Sequence, residues 1–357
     1  MADYLEWNYE EYYEPSNNTN LSTYVFNPNT HTCKDHPLFS TVAAAMSITL
    51  VGIFLLAVPG NLLVGFVIAS RRQTLIPSDV YLLHLTVADG LIAVTLPFWA
   101  HNITWGWAFG DFLCKLLSLT TEVNFYTSIL FLVCISVDRY FAIVHAADTR
   151  NGGWWACSWA VCCVIWTLGG VFALPALFND AFKPNQSERV VCAEQFDMGN
   201  AFHWRVATHG LRHVLGFLLP LAVMLACYGV TLARLVQTRG FQKHRAMRVI
   251  VAVVIAFLLC WMPYHLAMIA DLLVRAKVVA FDCSVRTSLD LTFVVTHSLA
   301  LTHCCINPFL YAFVGEKFRS NLGALVKRSW RSDRMSSGSA RFSRSTSQMS
   351  EGMGQFM

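Results

Sequence analysis

Seven apolar segments, with approximate limits 39–70, 79–100, 111–144, 154–174, 204–235, 244–274 and 286–313, decide what this chain can fold into. Each runs for about 20 residues or more, enough at about 1.5 Å rise per residue to cross a hydrocarbon layer about 30 Å thick. Composition agrees, since 55% hydrophobic and 13% charged residues with a mean hydropathy of +0.47 describe no ordinary soluble domain. Connections on both sides are short, so neighbouring helices are expected to be antiparallel and tightly bundled. The predicted fold is an all-α membrane protein, a seven-transmembrane helix bundle over residues 38–314, followed by a short amphipathic eighth helix over 315–327.

Charge gives the expected orientation. Of the 26 lysines and arginines, 17 fall on one side of the seven segments, including Arg71, Arg72, Arg139, Lys243, Arg245 and Arg248. The positive-inside rule makes that side cytoplasmic, with the N-terminus outside and the C-terminus inside. Residues 1–37 have no apolar run, so a cleavable signal peptide is not expected. They carry Tyr4, Tyr9, Glu10, Glu11, Tyr12 and Tyr13, and read as a disordered acidic extracellular tail. Tyrosines among carboxylates suit sulfation and a basic partner; the plainer alternative is a solubilising arm. Asn17, Asn20 and Asn185 each open a glycosylation sequon. Residues 328–357 are rich in serine with interspersed arginine, a disordered cytoplasmic tail fit for kinases. Of the 12 cysteines, Cys33, Cys114, Cys192 and Cys283 fall on the outer side, where disulfides form, and allow three pairings.

The third segment has the most polar content. It carries Glu122, Asn124 and Ser128, begins near Cys114 and ends in Asp138-Arg139-Tyr140, so it is expected at the centre of the bundle. Cys114 and Arg139 are separated by 25 residues, about 37 Å along a helix, which puts them at opposite faces of the membrane. Asp89 places a carboxylate in the middle of the second segment and needs partners there. Asn124 with Ser128, and His303 with Asn307, are i, i+4 pairs that each share a helix face. Together with Asp89 these four side chains are expected either to cage a sodium ion with water or to form a polar network with shared protons. Six prolines (59, 97, 175, 220, 263 and 308) are expected in six of the seven helices, where each kinks the helix and frees a backbone carbonyl. In Cys260-Trp261-Met262-Pro263 an indole precedes such a kink by two residues, so a rotation of Trp261 would be transmitted toward the basic stretch Lys243–Arg248. That stretch also reads as a lipid-headgroup anchor.

These markers resemble, one on nearly every helix and in order, a class A (rhodopsin-like) G protein-coupled receptor. The likeness narrows to chemokine receptors. Asp138-Arg139-Tyr140-Phe141-Ala142-Ile143-Val144-His145-Ala146 is similar to their DRYLAIVHA motif, with Phe141 for the usual leucine. Thr95-Leu96-Pro97, Trp107-Ala108-Phe109-Gly110 and His303-Cys304-Cys305-Ile306-Asn307-Pro308 resemble further family elements. Glu122-Val123-Asn124-Phe125-Tyr126 and Gln242–Ile250 look most like the interleukin-8-type receptors of the CXC branch. The resemblance implies a cell-surface receptor that binds a basic CXC chemokine, activates an inhibitory-class heterotrimeric G protein and mediates chemotaxis, with receptor kinase and arrestin acting on the Ser-rich tail. It implies disulfides Cys33–Cys283 and Cys114–Cys192, and a coupling set of Asp138, Arg139, Tyr140, Tyr228, Trp261, Pro263, Asn307, Pro308 and Tyr311.

Other classes fit less well. Residues 286–313 contain no lysine for a retinal Schiff base, and Thr121 stands where an aminergic receptor needs an aspartate. No repeat relates the halves as in many transporters, and no nucleophile with a base, nor any metal-ligand cluster, suggests an enzyme. A scavenging chemokine receptor without G protein coupling is the alternative within the family, as is a class A receptor for another peptide. One position departs from the family pattern: His297 stands where a glutamate is common. Asp290, seven residues earlier on the same face, and Asp271 are therefore expected to take the ligand's cationic end, with His297 neutral. The acidic tail leads to a test. Exposed charges act over about 8 Å at physiological ionic strength, so deleting residues 1–14 should slow chemokine association at low salt and leave dissociation nearly unchanged; an unaltered on-rate makes the tail a solubilising arm.

Overall fold

The structure, a computed structural model, describes residues 37–70, 75–145, 152–183, 189–196, 201–237, 241–276, 278–279, 282–314, 320 and 322–323. Among these, seven helices are long and apolar enough to cross a membrane. The first four spans are α1 (Pro37–Ala69), α2 (Pro77–Trp105), α3 (Gly110–Val144) and α4 (Gly152–Phe172). The fifth span is α5 (Ala201–His213) continued by α6 (Leu219–Gln237), the sixth is α7 (Phe241–Arg275), and the seventh is α8 (Cys283–Leu301) with α9 (His303–Val314). As its polar content suggests, α3 is central: it touches α2, α4, α6 and α7. Leu55, Leu62, Phe66, Leu259 and Leu266 are exposed on outer faces, a pattern that suits lipid and would be a liability in water.

Proline chemistry explains where the helices depart from regularity. Pro220 has no N–H and would crowd the carbonyl four residues back, and the preceding residues Val214–Leu218 widen into one π-helical stretch. Pro308 cannot donate to the carbonyl of Cys304, and Asn61 of α1 fills that place, its Nδ2 donating to Cys304 O at 2.8 Å. Pro59, Pro97, Pro263 and Pro308 lie inside helices. Pro175 lies in the last turns of the fourth span: α4 ends at Phe172, and Pro175 sits in the 3-10 turn Leu174–Phe178 that completes the span.

That turn leads into a feature the all-α reading did not anticipate. Strand β1 (Asn179–Phe182) pairs antiparallel with β2 (Val191–Glu194), with Asn179 opposite Glu194 and Ala181 opposite Cys192. A disulfide joins Cys192 to Cys114 at the start of α3, with Cα atoms 5.5 Å apart, so the hairpin is fastened over one end of the bundle. The α2–α3 connection is drawn to it as well. Gly106 has φ +90°, and a Cβ there would lie 2.7 Å from Val190 O, the atom that accepts from Trp107 N at 2.7 Å, so only glycine suits this crossing. Cys283 is also disulfide-bonded; its expected partner Cys33 lies outside the described residues. So do Tyr4, Tyr9, Glu10, Glu11, Tyr12, Tyr13, Asn17, Asn20 and Asn185. In the stretch expected as an amphipathic helix, Ser320, Leu322 and Gly323 are helical, and the rest of 315–327 lies outside the described residues.

Packing between spans is close at small residues. A Cβ on Gly216 would fall 2.4 Å from Cε1 of Phe125, whose ring is buried against Trp261 at a centroid distance of 4.5 Å. Gly216→Ala should therefore destabilise the fold by about 1–3 kcal/mol through overpacking. Thermal unfolding in detergent checks this, with Gly170→Ala, where nothing lies within 4 Å of the new Cβ, as the unaffected control.

Candidate functional site

At the end of the bundle remote from the hairpin, Arg139 is held by two neighbours. Its Nη2 and Nε donate to Asp138 Oδ2 at 2.6 and 3.1 Å, and Nη2 also donates to Ser78 Oγ on α2. The guanidinium is thus neutralised by the preceding residue and tied to a second span. Nearby, Tyr228 of α6 and Ser136 of α3 share a hydrogen bond of 2.7 Å, and Tyr140 OH lies 3.2 Å from His145 Nε2. Tyr311 is on α9, and its side chain is not among those described.

Half-way along the bundle, Asp89 is fully buried. Asn307 Nδ2 donates to its Oδ2 at 2.7 Å and Ser128 Oγ to its Oδ1 at 3.3 Å, while His303 Nε2 lies 3.6 Å from Oδ1. His303 Nδ1 is 2.7 Å from Ala300 O, and a carbonyl can only accept, so Nδ1 carries a ring proton. His303 Nε2 therefore faces the carboxylate either as a lone pair, which asks for a proton or a small cation between them, or as a second N–H of a protonated ring. One carboxylate, one hydroxyl and one imidazole nitrogen fit such an ion in kind. Asn124 does not join them as expected. Its Nδ2 bonds Thr120 O of its own helix at 2.7 Å, and its Oδ1 is buried without a hydrogen-bond partner. Trp261, two residues before Pro263 in α7, has its ring 5.5 Å from that of His303.

At the hairpin end, Asp271 and Asp290, the acids expected to take a ligand's cationic end, are each paired with arginine. Asp271 accepts from Arg275 Nε at 2.6 Å and from Arg286 Nη1 at 3.0 Å, and Arg286 Nη2 is 2.9 Å from Asp290. Two carboxylates and two guanidinium groups thus form one cluster that ties α7 to α8. Arg286 is buried, so a ligand cation aimed at either acid must displace an arginine. His297 stands one step below, its ring 5.2 Å from that of Tyr264.

Comparison with known proteins decides what the arrangement belongs to. Residues 60–311 match the family described as 7 transmembrane receptor (rhodopsin family). C-X-C chemokine receptor type 2 of Bos taurus is 48% identical over 274 residues, 76% of this chain and 74% of that protein. C-X-C chemokine receptor type 1 of Oryctolagus cuniculus is 48% identical over 270 residues, 75% of each chain, and type 2 of Homo sapiens 47% over 271, 76% of this chain and 74% of that one. The chain belongs to the rhodopsin family of seven-transmembrane receptors, on the C-X-C chemokine receptor branch. It is a receptor and not an enzyme.

The receptor also holds a buried polar bridge that was not read from its sequence. Arg212 of α5 donates through Nη2 to Glu122 of α3 and through Nη1 to Tyr264 of α7 at 2.8 Å, joining three spans. A signal was present, because an arginine inside the fifth apolar segment and a glutamate inside the third each require a partner. Beside it, His213 Nδ1 and His265 Nδ1 are 3.0 Å apart, so one must donate and the other accept. The outer cluster yields a test of stability. Asp271→Ala removes the carboxylate shared by Arg275 and Arg286 and should cost about 3–5 kcal/mol, read as a large fall in Tm and surface expression. Asp290→Asn, which touches only one arginine, should cost far less; equal losses would show that the acids are interchangeable.

Proposed function

We propose that the receptor sits in the plasma membrane with its N-terminus outside and C-terminus inside, binds a C-X-C chemokine and activates an inhibitory-class heterotrimeric G protein, mediating chemotaxis. The observation that carries this reading is the 48% identity to a C-X-C chemokine receptor across three-quarters of the chain. Asp138-Arg139-Tyr140 is intact, which favours coupling over the scavenging alternative. Tyr4, Tyr9, Glu10, Glu11, Tyr12 and Tyr13 would capture a basic ligand by charge, more strongly if the tyrosines are sulfated. Asp271, Asp290 and His297 would meet the part that enters the bundle. Glycans on Asn17, Asn20 and Asn185 and the Cys33–Cys283 bond belong to the same outer face.

Coupling in this proposal uses the opposite end. Arg139 leaves Asp138 and Ser78 and, with Tyr140, Tyr228 and Tyr311, meets the G protein as the inner part of the sixth span moves about Pro263, with Trp261 reporting the ligand and Asn307-Pro308 flexing the seventh. A ligand drives this only by binding the open arrangement more tightly than the closed one. Sodium at Asp89, with Ser128, His303, Asn307 and Asn124 around it, would favour the closed arrangement; a proton held between Asp89 and His303 is the rival. Receptor kinase and arrestin would act on the serines of 328–357.

Chemokine-stimulated nucleotide exchange on a purified inhibitory G protein tests the proposal, with a panel of C-X-C chemokines as ligands. Arg139→Ala should keep chemokine affinity within about twofold and abolish exchange, because along α3 that residue is about 37 Å from Cys114. Binding without exchange by the unaltered receptor would support a scavenger, and loss of binding at normal expression in Arg139→Ala would refute its assignment to coupling.

A further inference from the structure

Between α3, α5 and the hairpin lies a cavity of about 20 Å³, bordered by Glu122, Tyr126, Asn179, Glu194, His209 and Arg212. It has room for a group the size of one water molecule. We propose that this cavity is a subsite for a single primary ammonium group, held by Glu194 and Asn179. The inference does not depend on the identity of the receptor's main ligand.

The hairpin builds the site. Asn179 and Glu194 are opposite one another in the two strands, so their side chains project as cross-strand neighbours, and both border the cavity. Asn179 Nδ2 donates to Ala176 O at 2.9 Å, which fixes the amide so that Oδ1 is the atom left over. Asn179 is 5% exposed and Glu194 8%, and neither Asn179 Oδ1 nor Glu194 Oε2 has a hydrogen-bond partner. Two buried acceptors without donors, one of them on a carboxylate, are costly as they stand.

The nearest cations are committed elsewhere. Arg212 turns to Glu122 and Tyr264. Lys115 is engaged by Asp111 and Asp180, and it meets Asn179 only at the backbone carbonyl, 3.2 Å away. His209 Nε2 is 3.7 Å from Glu194 Oε2, beyond hydrogen-bond reach. Once Glu122 is matched by Arg212, Glu194 is the acid of this cavity that faces only an imidazole, that of His209, at ion-pair distance and without a hydrogen bond to Oε2. What fits is a water-sized group with positive charge and several N–H donors. An ammonium has three donors and meets both requirements.

Two sources carry that group: a free small amine, or a lysine side chain on a peptide ligand. Purified full-length receptor in detergent would be titrated with methylammonium chloride while thermal unfolding is followed, with tetramethylammonium chloride, which has no N–H donor, at equal ionic strength. Asp89→Asn serves as background to silence any cation effect at the buried aspartate. Methylammonium should raise Tm in a saturable manner, tetramethylammonium should not, and Glu194→Gln should weaken the apparent affinity at least about tenfold. Acetyl-lysine amide matching methylammonium would assign the site to a lysine-bearing ligand; methylammonium acting alone would assign it to a free amine. Equal shifts with tetramethylammonium or with sodium, no saturable shift at all, or an unchanged response in Glu194→Gln would overturn the proposal, and the tetramethylammonium comparison on the unaltered chain stands even if the variant fails to fold.

Discussion

The carboxylate of Asp89 fixes how the spans are registered against one another. It is fully buried in the middle of a bundle, where an unpaired polar group is far costlier than in water, so α2 is held where Asn307 and Ser128 can reach it. The same hub draws in α1. Pro308 leaves the carbonyl of Cys304 without its helical donor, Asn61 supplies one, and Gly60 beside it lets α1 come so near that a Cβ would lie 3.0 Å from Pro308. Trp261 rests against His303 and Phe125, which brings the sixth span to the hub through ring contacts. Five of the seven spans thus meet at or next to one acid.

Much of this was readable in the chain because lipid makes polar residues conspicuous. Asp89, Ser128, His303 and Asn307 stand out in apolar segments, and helical spacing correctly puts the last two on one face. Asn124 shows where spacing stops short. It shares a face with Ser128, but its amide bonds the carbonyl of Thr120 one turn back, a local competition that periodicity does not register. The pairing of Asp271 and Asp290 with arginine escapes the sequence for a related reason. Their partner Arg286 lies across the junction of two spans, and a pairing between residues 271 and 286 leaves no periodic trace. The hairpin was missed because four-residue strands between membrane segments carry too little alternation to be told from loop.

Both ends of the bundle manage charge in the same way. Arg139 is answered by Asp138 next to it in sequence, and Asp271 by Arg275 one helical turn on. Such near pairs are formed whenever the helix is formed, so they hold little information about how spans are arranged. The bonds that do hold it reach further: Arg139 to Ser78, Arg286 from α8 to α7, Tyr228 to Ser136. A partner that takes over one of these long-range bonds changes the relative position of two helices, while the near pair still limits the cost of exposing the charge.

Arg212 carries that reasoning into the interior, because both of its bonds are long-range. It spans from Glu122 on α3 to Tyr264 on α7, and Tyr264 follows Pro263 directly and packs against Trp261 at a ring distance of 6.0 Å. On its other flank Glu122 and Arg212 border the cavity that Glu194 and Asn179 close from the hairpin. Charge introduced at Glu194 therefore acts on an ion pair one residue layer away, in surroundings of low dielectric where attraction is weakly screened. The hairpin is fixed to α3 by Cys114–Cys192 and cannot simply drift to relieve such a change. What can respond is the bond between Arg212 and Tyr264, the link in this chain that joins the fifth span to the proline-kinked part of the sixth.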